Sequence, residues 1–257
     1  MADDIASFWD PRRRPEKPDL RSVAQIRFLT ADDFPPFNFA GPDGAPVGFN
    51  IDLARAVCEE LALSCTIQAR RFDTLVDALV ANDGDAVIAS LAVTHSLRRR
   101  LGCTEPYFRT PARLVGRRDG TAAPPQDLAG LKLGVVEGSS HAAFARAFFP
   151  RATIVAAKTP DEARSALRSG SVDLVFGDGV SLAFWLTGDA SGDCCRFVGG
   201  PFLESRFFGE GLSVAVRRED ETLRHAIDHA LFRLWERGVY ADLVRRWFPL
   251  NPFQPPS

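Results

Sequence analysis

Asp178 offers the plainest chemistry in this chain, closing the segment Phe176-Gly177-Asp178-Gly179 directly after the β-rich run Val172 to Phe176. A carboxylate held where water is scarce needs a cation to stay ionised cheaply, so this position suits the ammonium group of a solute. Flanking glycines also suit an Asx turn with no ligand. Glu137-Gly138-Ser139-Ser140-His141 follows a second run, Lys132 to Val136, and reads as a strand, a glycine turn and a helix start whose free amides attract anions. Ser139 fits ligand contact and an N-cap equally. Nucleophilic catalysis is not indicated, since the GxSxG elbow is missing and adjacent helical side chains point apart. The buried run Asp85 to Thr94 ends in Ser90, Leu91, Ala92 and Thr94, which offer hydroxyls and backbone groups to a ligand. Thr94 also suits the cap of a helix carrying Ser96 to Leu101. Glu221, His225 and His229 have metal-ligand spacing but lie opposite an apolar helical stripe, where exposed polar residues are routine, and His95 and His141 are lone histidines. No metal or cofactor is expected.

These positions need a scaffold, and the apolar pattern supplies one. Strands at 26–30, 65–69 and 85–90 alternate with helices near 51–62 and 73–82, the order that builds parallel sheets. A second unit repeats it with strands at 132–136, 153–156 and 172–176 and helices at 140–149 and 160–169. Thr121-Ala122-Ala123-Pro124-Pro125 is a turn-rich joint between them. Two extended runs, Ala112 to Gly116 and Gly211 to Val216, suit crossings out and back. Leu223, Ala226, Ile227, Ala230, Leu231 and Leu234 then mark a helix that returns to the first unit, followed by another bearing Tyr240, Leu243, Val244 and Trp247. The expected division is a disordered leader at 1–21, a first lobe at 22–113 and 207–250, a second lobe at 114–206, and a tail at 251–257. With 257 residues each lobe is long enough to bury a core. A net charge of −2 with mixed signs argues against a nucleic-acid partner, and no apolar run is long enough to span a bilayer. No signal-peptide pattern precedes the leader, so an exported form would have lost its signal.

The strand Ile26 to Thr30 runs into Phe34-Pro35-Pro36-Phe37, then Gly44, then Gly48-Phe49-Asn50-Ile51-Asp52-Leu53-Ala54. An aromatic at a strand's carboxyl end is a stacking surface for a solute or a plug for the core, and for Phe34 alone the plug is the simpler expectation. Together these segments resemble the opening signature of extracytoplasmic solute receptors of the polar amino-acid class of bacterial ABC transporters, and the order from Ile26 to Phe248 is similar throughout. The resemblance implies an α/β fold of two lobes, each a mainly parallel sheet flanked by helices, joined by two crossover strands. It implies a periplasmic, monomeric receptor that closes by a hinge on a small polar solute, an amino acid or derivative, and delivers it to an ABC permease. The candidate ligand contacts are Phe34, Phe72, Ser90, Leu91, Ala92, Thr94, Arg98, Ser139, Ser140, His141 and Asp178, and the resemblance puts Asp178 on the ligand ammonium. It also favours a disulfide between Cys58 and Cys65, where a helix-to-strand reversal brings the sulfurs within range and the alternative is two buried thiols. Cys103, Cys194 and Cys195 have no assigned role.

One position departs from the pattern. The family places an Arg three residues after the Thr, where it forks onto the ligand's α-carboxylate, and this chain has Leu97 there and Arg98 next. Either Arg98 reaches back, or amides and hydroxyls hold the carboxylate, or the ligand has none. Some relatives resemble cyclohexadienyl dehydratases, for which Glu137, Glu210 or Asp178 would be proton donors. A non-transporting sensor or partner module is the third reading.

Overall fold

The computed structural model describes residues 9, 10, 12, 14–16, 18–21, 23–120 and 128–253, save the side chain of His95. The joint at Thr121 to Pro125 and residues 254–257 of the expected tail lie outside the described residues. Contacts divide the chain into two compact units, Met1–Arg109 with Glu210–Trp247, and Thr110–Gly209 with Phe248–Ser257.

The first unit runs β1 (Gln25–Thr30), β2 (Asp33–Phe34), β3 (Asn38–Ala40), β4 (Pro46–Val47), α1 (Phe49–Leu61), β5 (Ser64–Ala69), α2 (Leu75–Val80), β6 (Ala86–Ala92), α3 (His95–Arg100) and β7 (Leu101–Cys103). The second runs β8 (Ala112–Arg117), β9 (Lys132–Val136), α4 (Ser140–Phe148), β10 (Thr153–Ala157), α5 (Pro160–Arg168), β11 (Leu174–Asp178), α6 (Gly179–Thr187), β12 (Cys195–Phe202) and α7 (Ser205–Phe208). The chain then returns to the first unit with β13 (Leu212–Arg217), α8 (Glu221–Glu236) and α9 (Val239–Trp247).

The two sheets are wired alike. In the first the order is β5-β1-β6-β13-β7, with β1 parallel to β5 and β6, and β13 antiparallel to its neighbours. In the second it is β10-β9-β11-β8-β12, with β9 parallel to β10 and β11, and β8 antiparallel to its neighbours. Alternating side chains cover both faces of the second sheet. Leu133, Val135 and Phe176 pack with Phe144 of α4 on one face, while Val175 packs with Leu167 of α5 and Trp185 of α6 on the other. In the first unit Leu29 and Val87 pack against Leu75 and Leu79 of α2.

Several details differ from the sequence expectation. The strand placed at 172–176 forms two residues later, so Asp178 is its last residue and the N-cap of α6, a helix the apolar period had not announced. The expected leader holds Trp9, which is buried against Trp235 and Tyr240 with centroids 6.3 and 5.2 Å away. Arg14 pairs with Glu236 at 3.0 Å and the Pro15 carbonyl meets His229 Nδ1 at 2.9 Å, so these described residues contact α8. At the other end Phe248–Leu250, expected in the first lobe, group with the second unit, where Leu250 packs on the Leu167 cluster and Arg113 donates to the Pro252 carbonyl at 3.0 Å.

Gly48 is fixed by sterics: at φ 130° it precedes α1, and a Cβ there would lie 2.3 Å from the Phe37 carbonyl oxygen. Cys58 and Cys65 are disulfide-bonded with Cα atoms 6.1 Å apart, and Cys194 bonds its neighbour Cys195. Cys103 is free, and burial pushes its thiol pKa up. Replacing Cys58 and Cys65 together by Ser should lower stability by about 2–3 kcal/mol, the loop-closure value for so short a ring, read from the urea midpoint. An unchanged midpoint would show that the thiols are not paired in solution.

Candidate functional site

In the second unit the parallel strands β9 and β11 deliver their carboxyl ends to the starts of α4 and α6. Gly138 turns the chain at φ 71°, and Ser139 caps α4, accepting from Ala142 N at 3.1 Å and donating to the Val136 carbonyl at 2.6 Å. His141, two residues on, has Phe176 and Phe208 at ring distances of 5.7 and 5.2 Å. Burial holds its pKa down at about 4, so the ring is neutral at physiological pH. Asp178 accepts from Ser181 N at 2.7 Å. Burial pushes its carboxyl up to about 6, against the pull of the Ser181 and Val180 amides and of Arg164.

These residues surround a pocket of about 230 Å³ between α5 and α6, whose walls include Ser139, His141, Arg164, Phe176, Asp178 and Ser181. Arg164 is engaged at both ends of its fork, with Asp161 at 3.2 Å and with the Ser181 hydroxyl and carbonyl. Ser140 is exposed and lies outside this group. The pocket is mostly apolar, with one carboxylate whose hydrogen-bond donors are neutral amides.

In the first unit β1 and β6 end side by side. Phe34 is 50% exposed and stacks on Phe37 with centroids 5.5 Å apart. Phe37, not Phe34, is the plug: it is buried against Phe49 and Phe108, so the expectation for Phe34 is corrected. Phe72 begins a single 3₁₀ turn and is likewise 50% exposed. Leu91 is a core side chain that offers only its backbone, whereas Ala92 is exposed. Thr94 caps α3, accepting from Leu97 N at 3.1 Å. Leu97 packs on the Leu75 and Leu79 cluster. Arg98 forms an ion pair with Glu210 at 2.5 Å, and that places both groups in a surface contact.

Ser90 has a left-handed backbone, φ 57°, an uncommon state for a side-chain-bearing residue. Its support is a buried polar chain that sequence reasoning passed over. Asn50 Nδ2 donates to Ser90 Oγ at 3.1 Å and to Asn38 Oδ1 at 2.7 Å, Tyr107 OH donates to Asn50 Oδ1 at 2.9 Å, and Tyr240 OH donates to the Tyr107 carbonyl at 2.6 Å. Asn50 lies inside the Gly48-to-Ala54 segment, and a polar residue in the apolar start of α1 was the available signal. Arg164 and Ser181 had none, because the helices that carry them meet only in the fold.

Among the described residues no three His, Cys, Asp or Glu side chains come together to hold a metal. His225 contacts Arg224 and His229 the Pro15 carbonyl, so the Glu221, His225, His229 spacing serves the helix surface. The side chain of His95 lies outside the description. No helix among the described residues is long and apolar enough to cross a membrane.

Two similarly wired α/β units, each with an antiparallel strand second from one edge, define the two-lobed periplasmic-binding-protein class. Residues 26–250 match the bacterial extracellular solute-binding proteins, family 3, and the chain belongs to that family. It is 32% identical to an L-arginine-binding protein of Pseudomonas aeruginosa, with 92% of each chain covered. A Salmonella typhimurium periplasmic binding protein studied for its high arginine specificity is 28% identical, with a TM-score of 0.54 over 88% of this chain and 100% of that one. The L-cystine receptor of Neisseria gonorrhoeae, unliganded and open, shares the fold at 19% identity, with a TM-score of 0.76 over 90% of this chain and 95% of that one.

Proposed function

We propose that this protein is the extracytoplasmic receptor of an ABC import system, binding a small amino-acid-like solute and presenting it to a permease. Family membership supports the receptor class and the permease partner. The observation within the chain that supports solute capture is Asp178, a carboxylate at a strand's carboxyl end in a largely apolar pocket, raised to about 6. In this reading Phe34, Phe72, Ser90, Ala92, Thr94, Ser139 and His141 complete the contacts. The mechanism is hinge closure, driven by the difference in solute binding free energy between open and closed forms. The receptor acts in the periplasm as a monomer and performs no covalent chemistry.

A thermal-shift screen of refolded, ligand-stripped protein against amino acids, opines, polyamines and quaternary amines tests this. Solute at about 100 times its dissociation constant should add about 2.7 kcal/mol. A shift with none of them would remove the receptor reading.

One observation favours the dehydratase alternative: a carboxyl near neutrality is what a general acid requires, and Asp178 is one. Glu210 is held by Arg98 and Glu137 is exposed, so neither is singled out. Incubation with prephenate separates the readings, because turnover would establish the enzyme.

A further inference from the structure

The resemblance leaves open what holds the solute's carboxylate once the expected Arg is a Leu. Both candidate cations already have a carboxylate partner. Arg98 is held by Glu210, and Arg164, which lines the Asp178 pocket, is engaged by Asp161 and by the Ser181 hydroxyl and carbonyl. Turning Arg98 to a ligand carboxylate would take it from Glu210, and turning the terminal nitrogens of Arg164 would take them from Asp161 and Ser181, which leaves only the buried Arg164 Nε without a hydrogen-bond partner. Leu97 packs on its own core cluster and presents no donor.

The remaining chemistry is of one kind. The pocket at the ends of β9 and β11 presents the Asp178 carboxylate, whose hydrogen-bond donors are the neutral amides of Val180 and Ser181, beside the apolar walls Val136, Phe176 and Leu182. His141 stands in it among aromatic rings, and burial keeps that imidazole neutral, so it adds no positive charge to attract an acid. In the first unit the residues assigned to the solute include two half-exposed phenylalanines, Phe34 and Phe72, whose faces suit apolar or cationic groups. A carboxylate brought there would meet the like charge of Asp178 and an Arg164 already paired with Asp161, whereas an ammonium would gain a partner in Asp178.

We propose that the solute is an organic cation without an α-carboxylate, a small amine with an apolar or aromatic body, whose ammonium pairs with Asp178 in the pocket between α5 and α6. The inference rests on the receptor reading above and names its ligand class. The pocket volume of about 230 Å³ lies below the range of drug-sized sites, which limits the group that enters it to a small one.

Matched pairs differing only in the carboxylate make the test: phenethylamine against phenylalanine, agmatine against arginine, and cadaverine against lysine, titrated calorimetrically into ligand-stripped full-length protein at pH 8. In at least one pair the amine should bind ten-fold or more tightly than its amino acid, and Asp178→Asn should weaken that amine about a hundred-fold. A preference for the amino acid in every pair that binds would overturn the ligand class while leaving the receptor standing. An amine that binds Asp178→Asn as well as the native protein would overturn the assignment to this pocket. If no member of any pair binds and the wider screen is also silent, the receptor reading falls with it.

Discussion

Asp178→Asn should make the empty protein more stable at pH 8 while removing most of its affinity for a cationic solute. Asparagine caps a helix as well as aspartate does, so the bond from Ser181 N survives and only the charge is lost. A carboxyl raised to about 6 in the fold is ionised at a cost of about 3 kcal/mol relative to the unfolded chain. The sign follows from linkage. Because the folded pKa lies above the unfolded one, the penalty is absent below about pH 4, grows as the pH rises toward 6, and is constant above. The advantage of Asn should therefore be largest at pH 7 to 8, up to about 3 kcal/mol or roughly 6–10 °C in melting temperature, and vanish near pH 4. Equal melting temperatures at pH 8 would show that the native carboxylate carries no such penalty. In the native protein, affinity for an amine should fall as the pH drops through 6, since a protonated Asp178 no longer offers a charge.

Asn50→Ala should strongly destabilise the first unit. It removes the donor to Asn38 Oδ1 and to Ser90 Oγ and the acceptor of Tyr107 OH, leaving buried polar groups without partners. A loss of about 3 kcal/mol is expected from that count, measured by urea unfolding. Solute affinity should fall as well, because the left-handed backbone of Ser90 is costly for any residue but glycine and needs its neighbours to persist. Ser90→Gly keeps that backbone without the cost. In the Ser90→Gly background, the further loss of affinity from Asn50→Ala should shrink, and an undiminished loss would show that Asn50 does not act through Ser90.

Much of the fold was legible because parallel strands buried on both faces read as apolar runs and the helices between them carry a clear period. The elements that escaped each have a physical reason. The segment Gly179 to Thr187 is apolar all round, so α6 has no amphipathic signal, and the strand β12 contains Gly199-Gly200-Pro201, which reads as a turn but sits at bulged register against β8. Helix α7 has four residues, too few for a period. Within the site, Asp178 and the Ser139 turn were visible because strand ends and helix starts are local signals. The Asn38, Asn50, Tyr107 and Tyr240 chain was not, since its members are scattered from residue 38 to residue 240. Trp9 was hidden for the same reason, its partners being Trp235 and Tyr240 at the far end of the sequence.

The place of β13 beside β6 sets an order on biogenesis. All strands of the second sheet lie between Ala112 and Phe202, so that sheet is complete once the chain has been made that far, with only the seat of Leu250 and Pro252 still empty. The first sheet must wait, because the partner of β6 on one side is residues Leu212–Arg217. During synthesis or translocation from the N-terminus, the earlier half of the protein therefore carries an open strand edge until nearly the whole chain has emerged. That half is the one an aggregation-blocking chaperone would have most reason to hold.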